Sequence, residues 1–219
     1  VIIPALSFVA TANVVELIGA TPIFVDICLD TFNIDVSKIE EAISPKTTVI
    51  LPVHEFGLSA DITEIKKIAD KHNLLIIEDA ACALGAKENN HHVGTFGMAG
   101  CFSLHPRKSI TCGEGGFIVT NDDLFAKKLY QLRNHGIEEN FQFSSIGFNC
   151  RLTDFQASLV NSQFERFDEI LEEKSKIVNW YLSRLENLNI KLPSIPENKN
   201  HTWQTFHIIL NEKTDRTKL

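Results

Sequence analysis

The chain has 219 residues, 44% of them hydrophobic and 22% charged, and carries a net charge of −7 at pH 7. That length and mixture suit a soluble globular chain with a real core, of one large domain or one and a part, and exclude a disordered one. The acidic balance, with no basic block, excludes a broad phosphate-backbone footprint and hence nucleic acid as the main partner, so an anionic ligand needs a local site.

In chain order, the opening VIIPALSFVATA reads as a strand, not a signal-peptide core. It lacks a basic leader, Pro4 interrupts it, and no apolar run reaches the roughly 18 residues of a spanning helix, so no membrane is expected. Met98 is the single methionine, and the chain is expected to be part of a longer protein. Residues 7–18 read as a helix with Ser7 at its N-cap and Gly19 just past its end. Strand-length apolar runs follow at residues 22–27, 48–53 and 74–77. Between them, Asp35 can cap a helix carrying Ile39 and Ile43, and Asp61 one with Ile62, Ile65, Ile68 and Ala69 on one face. Strands alternating with crossover helices predict an α/β fold.

The run LLII is apolar on both faces, as in a central parallel strand, and Glu78 and Asp79 follow at its carboxyl end. In open α/β sheets ligands bind at that edge. Strands at residues 100–104 and 116–120 flank a loop holding Lys108, Gly113, Gly115 and Gly116, and Asn121 or Asp122 starts a helix to about residue 134. Residues 153–188 are helical in pattern, with a break near Asp168, and LPSIPENKN marks a boundary. The strand-like TWQTFHIIL then opens a second domain. The expected division is a large domain over residues 1–165, a helical connection over 166–190, and the beginning of a small domain over 191–219.

Five cysteines, an odd number without C-x-x-C spacing, fit buried thiols in a reducing compartment, and the cytoplasm is the expected location. Asn200-His201-Thr202 matches a glycosylation sequon too short to carry weight. A Walker loop needs its lysine after the glycines, whereas Lys108 precedes them. Gly94, Gly97 and Gly100 lack the feeding strand of a dinucleotide fingerprint and read as turn glycines. His91-His92 has no partner at helical spacing, no serine-hydrolase elbow is present, and no metal is expected.

What remains is a lysine at the edge of one strand and an aspartate at the end of another. A lysine in a partly desolvated pocket loses its proton more easily and becomes the amine a Schiff base needs. An aspartate at the same edge can hold a proton on a pyridine nitrogen. Together Lys108 and Asp79 outline a pyridoxal phosphate site; taken singly, one is a surface cation and the other an N-cap for AACALGA.

Four blocks in order carry a resemblance over nearly the whole chain: IIPALSFVATANVVELIGATPIFVDI, ILPVHEFGLSADITEIKKIADKHNLLIIEDAACALGA, VGTFGMAGCFSLHPRKSITCGEGGFIVTND, and LRNHG followed by GFNCRLTDFQASL. In them the chain resembles the DegT/DnrJ/EryC1/StrS family of pyridoxal-phosphate-dependent sugar aminotransferases. The resemblance implies a fold-type I core, a mixed and mostly parallel sheet flanked by helices. It implies that Lys108 forms the Schiff base and shuttles a proton, that Asp79 pairs with the pyridinium nitrogen, and that Ser103 bonds the cofactor phosphate. Phe8 occupies the place of the aromatic stacked on the ring, and Asn149 that of an amide reaching the neighbouring subunit's phosphate, which implies a homodimer with shared active sites. From the residues alone, Phe8 suits core packing as well, and Ser103 a backbone-bonded strand hydroxyl.

Cys82 departs from the pattern: many members have a glutamine there that contacts the cofactor's phenolic oxygen, so its electronics are expected to be retuned. An upstream Gly-Thr pair that donates amides to the phosphate, and a longer carboxyl-terminal domain, also lie outside these residues. The implied reaction moves an amino group, from glutamate, onto a keto carbon of a nucleotide-linked sugar. The alternatives are a cyclitol or other keto substrate, or a non-catalytic relative. Lys108, where dehydratase-type members have histidine, argues against dehydration.

Overall fold

The computed structural model describes residues 1–138 and 140–218. Its first strand, β1 (Ile2–Pro4), is followed by α1 (Ala10–Leu17), β2 (Ile23–Val25) and β3 (Val49–Ile50). Then come α2 (Ile62–His72), β4 (Leu75–Asp79), the short β5 (Lys87–Glu88) and β6 (His91–His92), β7 (Ala99–Ser103) and β8 (Gly116–Val119). Three helices, α3 (Asp123–Leu132), α4 (Asp154–Phe164) and α5 (Phe167–Leu185), precede β9 (Ile190–Lys191), β10 (Lys199–Asn200) and β11 (Ile209–Leu210).

Six strands form one sheet in the order β2-β1-β3-β4-β7-β8. Every pairing is parallel except β7 with β8. This is the mixed, mostly parallel α/β architecture expected from the alternation of patterns. Burial explains why β1 sits inside the sheet. Ile2 belongs to a core with Ile50, Ile62, Ile65 and Ile76, while Ile3 packs with Val15 of α1 on the opposite face. A strand buried on both faces needs apolar residues at successive positions, which is what the opening run supplies.

Several local expectations give way to non-local partners. The helix expected from Ser7 starts at Ala10, with Val9 at the N-cap and no side-chain cap, because the Ser7 hydroxyl is bonded to Thr11 instead. Asp35 does cap, bonding the Ser37 amide and hydroxyl, but residues 36–38 and 40–42 form two 3₁₀ turns rather than a helix. So short a segment ahead of Pro45 cannot offset the cost of nucleating an α-helix. Asp61 leaves its helix uncapped because its carboxylate pairs with Lys199; the Glu88 carboxylate accepts from the Ile62 and Thr63 amides in its place. The helical break lies at Glu165 and Arg166, just before Asp168, which stands in the first turn of α5 where a negative charge is favoured.

TWQTFHIIL is a strand only at Ile209 and Leu210, paired with β9. Trp203 has a φ of 52°, and Thr202 and Thr205 donate backbone amides to Gly57 and Phe56, so this segment docks on the turn after β3. All five cysteines are free; Cys112 is buried, Cys150 is exposed, and the others are half-buried, so the expectation of buried thiols holds for one. Among the described residues no helix is long and apolar enough to cross a membrane.

Candidate active site

Parallel strands deliver their carboxyl ends to one edge, and the chemistry-bearing residues collect there. At the end of β4, successive side chains point to opposite sides. Glu78 turns inward and is fully buried. It accepts hydrogen bonds from His54 Nε2 (3.0 Å) and from the amides of Gly94 (2.6 Å), Phe96 (2.8 Å) and Gly97 (2.8 Å). Burial alone would push its carboxyl up, but the His54 bond and charge and the Gly97 and Gly94 amides together hold it below the usual value. Two of the glycines read as turn residues, Gly94 and Gly97, therefore help form a carboxylate cradle. Gly94 has a positive φ of 85°, and a Cβ on Gly100 would lie 2.2 Å from Gly94 Cα, so that approach requires glycine.

Asp79 faces the other way. Its Oδ2 accepts from the Thr11 hydroxyl (2.9 Å) and its Oδ1 from the Ala81 amide (3.1 Å). The Ser7 hydroxyl continues this chain, 2.8 Å from that of Thr11. Glu55, in the turn that follows β3 at residues 55–57, is 5% exposed. Burial, and then the charge of Asp79, push the Glu55 carboxyl up to about 7, against the opposing pull of the Phe56 amide, Lys108 and Ser7.

Lys108 lies in a tight turn five residues beyond β7, its amide bonded to the His105 carbonyl. Leu104 and Ile110, both 1% exposed, anchor the two ends of the turn in a core shared with Phe167 of α5. The lysine is thereby carried on a pinned loop rather than on the strand itself. Its Nζ donates to Cys82 Sγ at 3.0 Å. Burial pushes the Cys82 thiol up, only partly countered by the Lys108 bond and charge, so it is protonated at neutral pH. Ser103 lines the same small pocket as Cys82 and Lys108. Its Oγ accepts from the His105 amide (3.2 Å), which leaves its own hydrogen free to donate.

The structure thus brings together Asp79, Cys82, Ser103 and Lys108. Phe8 is 78% exposed, and Asn149 is exposed in a bridge with Asn134. The space around the glycine loop is partly filled by protein. A Cβ on Gly115 would meet Leu152 at 2.7 Å and one on Gly116 the Phe102 carbonyl oxygen at 2.7 Å, while only Gly113 faces open space. Sequence reasoning missed Thr11, Ser7 and Glu55. Glu55 carried a usable signal, an acid just past an apolar strand, the same signal that marked Asp79.

Among the described residues no group of three or more His, Cys, Asp or Glu is arranged to hold a metal ion. A primary amine, a carboxylate with both oxygens anchored and a free hydroxyl hydrogen at one sheet edge match the donor set that pyridoxal phosphate requires.

The architecture is that of the fold-type I transferases. A solved structure of S. venezuelae DesV in complex with a ketimine intermediate superposes with a TM-score of 0.92 at 33% identity, covering 97% of this chain and 58% of DesV. The chain is 40% identical over 222 residues to the GDP-perosamine synthase of Caulobacter vibrioides, covering 100% of this chain and 60% of that protein. It is 39% identical over 214 residues to the UDP-N-acetyl-3-dehydro-alpha-D-glucosamine 3-aminotransferase of Acidithiobacillus ferrooxidans, covering 97% of this chain and 58% of the relative. The profile of the DegT/DnrJ/EryC1/StrS aminotransferase family matches residues 1–219. The chain belongs to that family. It spans about three fifths of the length of these curated relatives.

Proposed function

We propose that the whole protein is a pyridoxal-phosphate-dependent aminotransferase that moves an amino group, from glutamate, onto the keto carbon of a nucleotide-linked sugar. The observation that carries the reading is the meeting of Lys108, Cys82 and the anchored Asp79 carboxylate at one sheet edge. The named activities of the two curated relatives support the substrate class. Bound pyridoxal phosphate supplies an aldehyde for a primary amine and a ring that withdraws electrons.

In this reading Lys108 offers the amine and moves the proton, and its pinned turn holds Nζ in place between steps. Asp79 accepts the ring N–H; Thr11 and Ala81 fix its orientation and leave lone pairs on both oxygens for that bond. Ser103 donates its hydroxyl to the phosphate. Cys82 presents a neutral thiol beside Lys108, a weaker donor than an amide. Phe8 and Asn149, both exposed, are proposed to meet the ring face and a neighbouring subunit's phosphate in a homodimer.

The test uses the full-length protein loaded with pyridoxal phosphate and reduced with borohydride, followed by peptide mass spectrometry. The label is expected on the peptide containing Lys108, together with amino transfer from glutamate to a nucleotide keto-sugar. A label on another lysine, or none, overturns the assignment.

A further inference from the structure

The turn that carries Lys108 has little backbone support of its own. Between β7 and β8 the Leu104 amide bonds the Gly115 carbonyl, that of Lys108 bonds His105 and that of Cys112 bonds Leu104. Residues 109–111 make no backbone-to-backbone bond among the described residues. An amine that must stay in register on such a loop needs side chains to hold the loop. Three do so, at alternate residues around Lys108: Gln204 at Arg107, Lys174 at Ser109 and Gln163 at Thr111.

Gln163, next to the last residue of α4, takes both backbone groups of Thr111. Its Oε1 accepts from the Thr111 amide at 3.0 Å, and its Nε2 donates to the Thr111 carbonyl at 2.7 Å and to the Leu159 carbonyl at 2.7 Å. An N–H only donates and a carbonyl only accepts, so these partners fix which end of the amide is which. Lys174 stands on α5 along the face of Phe167 and Leu171, which pack with Leu104 and Ile110 beneath the turn. Its half-buried Nζ donates to Ser109 Oγ at 2.7 Å. It pairs with no carboxylate among the described residues, and burial pushes its pKa down. A cation held out of water against one neutral hydroxyl is a poor stabiliser of a fold. Gln204, from the segment docked on the turn after β3, gives an N–H to the Arg107 carbonyl and lines the small pocket of Lys108, Cys82 and Ser103.

We infer that Gln163 and Lys174 are positioning residues that grip the Lys108 turn from α4 and α5 and so fix where the lysine's amine stands. The inference rests on the reading of Lys108 as the amine that receives the cofactor. Leu104 and Ile110 anchor the ends of the turn in the core, but neither bonds the polar groups between them. Loss of a grip therefore leaves the core packed and lets the lysine drift, and a misplacement of about 1 Å costs on the order of 100-fold in rate. Of the two, Lys174 gives the cleaner separation of positioning from folding, because its charge is a burden to the folded state and its one bond is to the residue beside Lys108.

The experiment uses the full-length protein freed of cofactor, in wild type, Lys174→Met, Lys174→Arg and Gln163→Leu. Pyridoxal phosphate is added at increasing concentration and loading is followed by absorbance, which separates a limiting rate from a half-saturating concentration. Lys174→Met keeps the stem and discards the charge. It is expected to lower the limiting rate by about 10- to 100-fold, with the half-saturating concentration within about twofold of wild type. Its urea unfolding midpoint is expected to be no lower than that of wild type. Lys174→Arg, which returns a donor to Ser109, is expected to recover most of the limiting rate. In deuterium exchange without cofactor, Gln163→Leu is expected to expose one further amide, that of Thr111, while the peptides of α5 exchange as in wild type. The inference is overturned by a Lys174→Met limiting rate equal to wild type, by a midpoint that falls with the rate, by equal losses in Lys174→Met and Lys174→Arg, or by unchanged exchange at Thr111 in Gln163→Leu. If Lys108 is not the amine that receives the cofactor, the wild type itself fails to load or the borohydride label falls on another lysine, and the exchange arm still decides the grip.

Discussion

Removing the carboxylate of Glu78 should cost more stability than any other single polar change at the sheet edge. Glu78 is fully buried and satisfies four donors: one histidine nitrogen and three backbone amides. In Glu78→Ala all four lose their partner, and at about 1–3 kcal/mol for each buried unsatisfied group the loss is about 4 kcal/mol or more. That is a large share of the roughly 5–15 kcal/mol that holds a domain folded. Glu78→Gln keeps the volume and an oxygen for Phe96 and Gly97, but turns an N–H₂ group toward the Gly94 amide and His54. Two donors are then left without an acceptor, and the loss is about 2–6 kcal/mol. The assay is urea unfolding of the full-length protein, with the change read from the midpoint at constant slope. The pH dependence supplies a second check. The folded value of Glu78 lies below the unfolded one, so its contribution is fully present above about pH 4.5 and is lost as the pH falls through the folded value. The gap between wild type and Glu78→Gln should therefore be flat near neutrality and narrow in acid. A Glu78→Gln protein within about 0.5 kcal/mol of wild type at pH 7, the range of an ordinary surface change, would refute the reasoning.

Lys108→Ala is expected to abolish amino transfer in the loaded full-length enzyme while its circular dichroism stays that of wild type, since Leu104 and Ile110 and not the lysine pin the turn. Turnover by the purified variant rules the role out. Asp79→Ala should slow each half-reaction far more than it lowers the unfolding midpoint, because its side chain holds one hydroxyl and one amide that are not fully buried; normal half-reaction rates would remove it from the chemistry. Gly100→Ala puts a Cβ 2.2 Å from the Gly94 backbone, which cannot move without pulling its amide off Glu78, so a loss of about 3 kcal/mol or insoluble protein is expected on expression. Glu88→Ala uncaps α2 and should cost about 1–2 kcal/mol, measured by the same unfolding curves.

The sheet was legible because its strands declare themselves locally. Ile2 and Ile3, buried on opposite faces, need nothing beyond adjacent apolar residues to mark an interior strand. Asp79 and Lys108 stand out in the sequence because one ends a strand and the other follows one at the edge where parallel sheets bind ligands. What local pattern does not carry is the identity of a distant partner. Asp61 has the right residue type and spacing to cap α2, yet Lys199 holds it and Glu88 does the capping; both arrive from far along the chain. Ser7 looked like an N-cap for the same reason, and its hydroxyl is instead drawn into the chain that ends on Asp79. The glycines beside Lys108 do not by themselves show free space, since the positions a Cβ would take at Gly115 and Gly116 are met by Leu152 and by the backbone of β7.

The sheet edge carries two acid-containing pairs that differ in kind. Asp79 and Val53 bridge in parallel register, and the His54 amide bonds the Asp79 carbonyl at 3.0 Å, so His54 and Glu55 follow on beside the carboxyl end of β4. One cross-strand pair, His54 with Glu78, joins opposite types at 3.0 Å with neither side chain exposed and with three amides completing the carboxylate's bonds. Such a pair is fully satisfied and rigid, and it offers a ligand nothing. The other pair, Glu55 with Asp79, sets two acids near each other in partial burial, where both cannot ionise cheaply, and one is pushed toward neutrality. Paired acids driven apart in this way mark working sites more often than structural ones. The alternation of a single β-strand therefore assigns adjacent carboxylates different tasks, Glu78 to hold the edge together and Asp79 to face whatever binds there.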